Sequence, residues 1–123
     1  MNSNFIAIHH ASMIISDLAQ AKYFYHEVLG LEIDRSRPDL SFDGLWLNIN
    51  ESQQIHLLLL DNPDPLERPP HGGRDRHTAF RVKQLSQVQM HLDKHGIAYT
   101  LSASGRKALF CRDPDGNTLE ILE

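Results

Sequence analysis

The sequence predicts an α+β fold in which one βαβββ unit occurs twice. Short runs of period-two hydrophobicity are interleaved with two stretches of helical spacing, the element pattern of such a fold. A run from Asp61 to Arg76, holding Pro63, Pro65, Pro69 and Pro70 with Gly72 and Gly73, divides the chain into halves. The halves register when His10 is laid over His77. Ile15 and Val82 each follow by five residues, Leu18 and Leu85 by eight, Ala21 and Val88 by eleven, Tyr25 and Leu92 by fifteen. The glycines that would end the two helices, Gly30 and Gly96, follow by twenty and nineteen.

In the first unit, about residues 5–60, Phe5 to Ile15 reads as a strand, with His10, Ser12 and Ile14 on one face and Ala11, Met13 and Ile15 on the other. Ser16 or Asp17 is a suitable N-cap for a helix carrying Leu18, Ala21, Phe24, Tyr25 and Val28 on one side. Gly30 suits the left-handed C′ position. Three strands follow, over Leu31–Asp34, Phe42–Ile49 and Gln54–Leu60, with a polar hairpin connection between the last two. No regular element is expected to persist in the linker, 61–76, because proline removes donors and fixes φ. A loop of that length in a compact domain usually covers a site or bridges halves. The second unit, about residues 77–123, repeats the order: a strand from His77 to Val82, a helix with Leu85, Val88 and Leu92, then strands over Ile97–Leu101, Arg106–Cys111 and Asn117–Leu122. The turn before the last strand is Asp113-Pro114-Asp115-Gly116, where proline presets φ and glycine accepts the positive φ of the turn. The whole chain is expected to form one domain.

The totals exclude several function classes. The chain has 123 residues, 41% hydrophobic and 23% charged, and a net charge of −4, which is the composition of a globular domain. Its basic residues are scattered, against nucleic-acid binding, which rests on a clustered basic patch. The apolar run Ile55–Leu60 includes a histidine and falls far short of the ~20 residues of a membrane span. Met1-Asn2-Ser3-Asn4 lacks the basic region of a secretory leader, so a cytoplasmic home is expected. Cys111, the single cysteine, has no intrachain disulfide partner.

Histidine is the unusual entry in this composition, with eight in the chain. In each unit one residue of metal-ligand type opens the first strand, His10 or His77, and another lies on the last strand, His56 or Glu120. His77 shares its strand face with Ala79 and Arg81, opposite the helix-packing residues Thr78, Phe80 and Val82. If the two half-sheets curl toward each other, three imidazoles and one carboxylate converge, a donor set that suits Zn, Ni, Fe or Mn. A lone histidine or glutamate on a strand is ordinarily a solvated or hydrogen-bonded residue. The repeat-equivalent placement of four such residues is what favours a site. Arg76 and Arg81 could balance an anionic substrate, although surface charge is the plainer reading of each. Cys111 carries no sign of a lowered pKa and is given no catalytic role.

Two motifs carry a family resemblance. His10 to Gly30, with Ile15-Ser16-Asp17-Leu18 and Phe24-Tyr25-His26-Glu27-Val28-Leu29-Gly30-Leu31, resembles the opening of the vicinal oxygen chelate superfamily, which includes glyoxalase I and the fosfomycin-resistance proteins. Asp113-Pro114-Asp115-Gly116-Asn117-Thr118-Leu119-Glu120 resembles its closing motif, and His77-Thr78-Ala79-Phe80 lies between. The resemblance implies two βαβββ modules forming a curved mixed sheet, paired within one chain or between chains. It implies ligands for one divalent metal ion per site at His10, His77 and Glu120, and at His56 where glyoxalase I has a glutamate. It implies a homodimer in which modules of two chains build each site. The expected activity is that of a glyoxalase-type lyase or isomerase acting on a small molecule with vicinal oxygens, with Glu120 as the catalytic carboxylate. The alternatives are a fosfomycin-resistance-like thiol transferase or hydrolase, a small extradiol-type dioxygenase, and a metal-free ligand-sequestering protein of the bleomycin-resistance kind. The exchange of glutamate for His56 removes one candidate base.

Overall fold

A computed structural model describes residues 3–123; Met1 and Asn2, part of the stretch inspected for a leader, lie outside the described residues. Strand β1 (His10–Ile15) leads into helix α1 (Leu18–Lys22), which continues as a π-helical segment over Tyr23–Val28. Strands β2 (Glu32–Ile33), β3 (Gly44–Asn48) and β4 (Gln54–Leu59) complete the first unit. The second unit repeats the order with β5 (His77–Arg81), α2 (Leu85–Lys94), β6 (Tyr99–Leu101), β7 (Ala108–Arg112) and β8 (Thr118–Leu122). Each unit forms one mixed four-stranded sheet, in the orders β1-β4-β3-β2 and β5-β8-β7-β6. In both, the first strand pairs in parallel with the last, and the remaining pairings are antiparallel. The predicted α+β architecture of two βαβββ modules is the observed one.

Local chemistry explains the elements. Asp17 is the N-cap of α1, its carboxylate accepting from the Gln20 backbone N–H at 2.8 Å. Gly30 and Gly96 end the two helical stretches with φ of +77° and +67°. Past Lys22 the helix widens, and the Leu29 N–H bonds the Phe24 carbonyl five residues back. This wider turn brings the adjacent Phe24 and Tyr25 into the core together. Alternate residues of the sheets, Met13 and Ile15, Ile55 and Leu57, Leu109 and Cys111, Leu119 and Ile121, pack with both helices in one hydrophobic cluster. Their neighbours along each strand, among them His10, His56, His77 and Glu120, therefore point to the other face.

Three details depart from the sequence reading. The first strand begins at His10, not Phe5, because no neighbouring strand extends far enough to pair with residues 5–9. Phe5 and Ile6 are accordingly 92% and 96% exposed. The proline-rich linker holds a single 3-10 turn, Gly72–Arg74, capped by the His71 side chain. The last strand is buried on both faces, Thr118 and Glu120 included, with the Gly72–Arg74 turn packed against it at Thr118.

The closing turn ties the halves together. Tyr25 donates its hydroxyl hydrogen to Asp113 at 2.7 Å, Asn117 donates to Asp113 and to the Ile14 carbonyl, and Ser16 bonds Asp115. Burial, with the Asp113 charge beside it, holds the Tyr25 hydroxyl well above its ordinary pKa of 10.0. The folded chain thus keeps a proton that the unfolded chain releases near that pH. The resulting stabilisation is intact below pH 10 and is lost as pH rises from there toward the folded value. Tyr25→Phe is expected to lower stability by roughly 1–3 kcal/mol at neutral pH. It should also flatten the decline above pH 10, both read from urea midpoints across a pH series.

Candidate functional site

His10 is the first residue of β1 and His56 the third of β4. Their rings stack at 4.0 Å between centroids with 14° between planes, and Trp46, the cross-strand partner of His56, stacks on the other side at 4.3 Å. His56 is held in one tautomer by its neighbours. Gln54 donates its amide hydrogens to Asp34 at 2.7 Å and to Asn48 at 2.9 Å, so its oxygen faces His56 and accepts from Nε2 at 2.9 Å. Burial, with the positive fields of His10, His9 and Arg37, keeps the His56 pKa below its ordinary 6.5 against the pull of Asp34. His56 is therefore a neutral imidazole with its lone pair on Nδ1. In this arrangement the His10 and His56 rings lie nearly parallel, so their in-plane lone pairs run side by side without meeting at a point. One of the two close nitrogens of His9 and His10, Nδ1 to Nδ1 at 2.8 Å, carries the hydrogen between them.

The second unit presents a different pair. His77 opens β5, and its Nδ1 lies 2.8 Å from the Asp75 carbonyl, an acceptor, so Nδ1 carries the hydrogen. Its Nε2 faces Glu120 Oε1 at 3.2 Å. A histidine whose far nitrogen is fixed by a carbonyl is the usual posture of a metal-ligating imidazole. The Glu120 side chain is only 8% exposed, and its other oxygen meets Arg106 at 3.4 Å. Without a cation, the Nε2 lone pair and the carboxylate would be two acceptors face to face. A proton on Nε2 or a metal ion relieves that conflict, so the donors present fit a divalent ion. The ring of Phe110, the cross-strand partner of Glu120, stands at right angles to His77 at 5.4 Å.

Asp75 also anchors the loop that leads to His77. Its burial favours the neutral acid. Hydrogen bonds from Arg112 and Arg68 and from the Arg76 backbone outweigh that and hold the carboxyl far below its usual range. Gly72 of the same loop lies against the sheet so closely that a Cβ there would meet Thr118 Cγ2 at 2.6 Å. Arg76 pairs with Asp64 across the loop.

The two pairs stay apart within one chain. Strands β1 and β5 pass each other across clefts of about 310 and 340 Å³. Ser12 and Ile14 face His77 and Thr78 in the first, while His10 and Ala11 face Ala79 and Arg81 in the second. His10 thus lies toward the end of β5 remote from His77. Among the described residues, no three His, Cys, Asp or Glu side chains come close enough together to hold a metal ion. One chain presents two half-sets, His10 with His56 and His77 with Glu120.

The Glyoxalase/Bleomycin resistance protein/Dioxygenase superfamily profile matches residues 7–121. The chain belongs to this superfamily. Among its relatives in the superfamily is the protein YaeR of Escherichia coli (strain K12), 32% identical over 94% of this chain and 95% of YaeR. Glutathione transferase FosA of Serratia marcescens is 25% identical over 94% of this chain and 79% of FosA. The crystal structure of a glyoxalase family protein from Enterococcus faecalis superposes with a TM-score of 0.71 at 32% identity, covering 97% of this chain and 98% of that one. The superfamily contains enzymes, and no helix among the described residues is long and apolar enough to cross a membrane.

Several contributing residues escaped the sequence reading. Gln54 and Asp75 each lie two positions before a histidine, a spacing that puts Gln54 on the same strand face as His56. Trp46 becomes recognisable only through strand register, and Arg106 carries no local signal. Arg81 is exposed, donates to the carbonyl of Glu123 at 3.3 Å and lines the cleft it shares with His10, while Arg76 is engaged by Asp64 and lines the cleft it shares with His77. Cys111 is buried in the core, where desolvation pushes its thiol up to about 12. A disulfide-exchange reagent at pH 8 is expected to label Cys111 slowly in the folded protein and within seconds in denaturing urea. Rapid labelling of the folded protein would contradict its burial.

Proposed function

We propose that this protein is a metal-dependent enzyme of the glyoxalase type, a lyase or isomerase acting on a small molecule with two neighbouring oxygens. The observation that carries this reading is the His77–Glu120 pair, in which the free nitrogen of a carbonyl-fixed imidazole and a buried carboxylate face each other at 3.2 Å. His77 and Glu120 of one chain, with His10 of a second copy, would hold one divalent ion (Zn, Ni, Mn or Fe) per site in a homodimer. When bound, such an ion supplies Lewis-acid stabilisation of negative charge developing on the substrate oxygens.

The chain's own residues do the rest. The Asp75 carbonyl fixes the tautomer and plane of His77. Glu120 would share the ion with His77 through Oε1 and has Oε2 for accepting a proton from the substrate, a task suited to a carboxylate stripped of water. His56, with Nε2 taken by Gln54 and its ring held between Trp46 and His10, acts by fixing the His10 plane and offering Nδ1 to the substrate, not as a fourth ligand. Phe110 and Trp46 supply apolar walls that keep water from the reacting atoms.

A second reading, thiol transfer to an electrophilic small molecule, draws support from the similarity to glutathione transferase FosA over most of the chain. Both readings need the metal, and a thermal-shift screen against α-oxoaldehyde–glutathione adducts, epoxides and catechols would separate them by substrate.

Elemental analysis of purified protein is expected to find about one divalent ion per chain. Replacing a ligand should cost more than the roughly 10- to 100-fold typical of second-layer partners, so His77→Ala and Glu120→Gln should each lose the ion at micromolar concentration. Absence of metal from the native protein, with no difference in rebinding between it and His77→Ala, would sink the enzyme reading in favour of a ligand-sequestering role.

A further inference from the structure

Two buried carboxylates, Asp75 of the linker and Glu120 of β8, meet guanidinium groups, and the two are built differently. Asp75 receives Arg112 at 2.7 Å and Arg68 at 2.9 Å, and Arg112 is pinned further by the carbonyl of Gly116 and the hydroxyl of Thr118. This is a permanent pairing, with every partner at least largely enclosed. Glu120 is equally buried, yet its guanidinium comes from Arg106, whose side chain is 59% exposed and makes one contact at 3.4 Å. Arg106 sits on the tip joining β6 to β7, beside Gly105 with φ of +78°. Its Nε donates to Ser104 Oγ at 3.2 Å, and that hydroxyl pairs with Ser102 Oγ at 2.8 Å. A long, single-point contact from an exposed tip can be given up at little cost.

We propose that Arg106 is a displaceable counter-cation for Glu120, one that a divalent ion replaces and that then takes an oxyanion group of the substrate. The inference rests on the metal-dependent reading above and adds to it a residue that selects for anionic substrates. The reasoning is electrostatic. A buried carboxylate must be paired. A guanidinium and a divalent ion at the same carboxylate repel each other, and the partner with the weaker hold and the readier access to water is Arg106. Its short tether keeps the released group at the rim of the site, where a substrate oxyanion bound near the ion would be within reach. Arginine suits this role because its planar fork matches carboxylate and phosphate oxygens.

The test follows the Arg106 Nη–H resonance of the full-length protein during titration with zinc, alongside zinc affinities for wild type and Arg106→Gln. Zinc is expected to move that resonance to a solvent-exposed position in step with binding, and Arg106→Gln should bind zinc roughly two- to fivefold more tightly. In the zinc-loaded proteins, inorganic phosphate should bind more weakly to Arg106→Gln than to wild type by at least about fivefold. A resonance that stays put while zinc binds would make Arg106 a fixed partner of Glu120 and overturn the proposal, as would equal phosphate affinities. Failure of wild type itself to bind zinc would instead overturn the metal-dependent reading on which the proposal stands.

Discussion

One pairing underlies the site, a buried carboxylate and a carbonyl-fixed imidazole nitrogen facing each other at 3.2 Å. The Asp75 carbonyl takes the only hydrogen a neutral His77 has, and the Glu120 side chain is 8% exposed, with His77, Arg106 and Phe110 around it. A proton on Nε2 or a metal ion between them satisfies both groups. The fold provides for this arrangement from several directions. Arg112 and Arg68 clamp Asp75, which fixes the loop that delivers the carbonyl, and the absence of a Cβ at Gly72 lets that loop lie against Thr118. The Tyr25–Asp113–Asn117 cluster holds the turn from which β8 starts.

The first unit handles its pair differently. His56 is stacked between two rings, tied to Gln54, and kept neutral by burial and positive neighbours. On the proposed reading, a histidine where the resemblance to glyoxalase I would place a glutamate makes a site shared by two chains less negative. Proton transfer and charge balance would then both fall to Glu120.

Much of this fold was legible in the sequence, and for identifiable reasons. The repeat offsets located both units because helix length and strand order are conserved between the two copies, down to the positive-φ glycines Gly30 and Gly96. Periodicity put Met13 and Ile15 on the strand face opposite His10, and those two are buried in the core. What stayed hidden depended on pairing. Phe5 to His9 alternate like a strand, but β4 begins at Gln54 and offers them one link, at His9, so alternation alone misplaced the strand's beginning. The wider helical turn at Tyr23 leaves an apolar pattern that an ordinary helix would also give. Arg106 reaches Glu120 across fourteen residues of hairpin, a contact set by register and turn geometry. The separation of His10 from His77 likewise follows from how β1 and β5 pass each other, which no residue spacing records.

That separation makes the central claim one about two chains, each supplying half a site. Mixing two inactive variants tests it most directly. His10→Ala and Glu120→Gln homodimers each lack a ligand in every site. After the two are unfolded together and refolded, the mixed dimers place both lesions in one site and leave the other whole. The account predicts that metal binding absent from either variant alone returns in the mixture, in the dimer fraction on sizing. A mixture that binds no more metal than its separate components, although mixed dimers have formed, would contradict it.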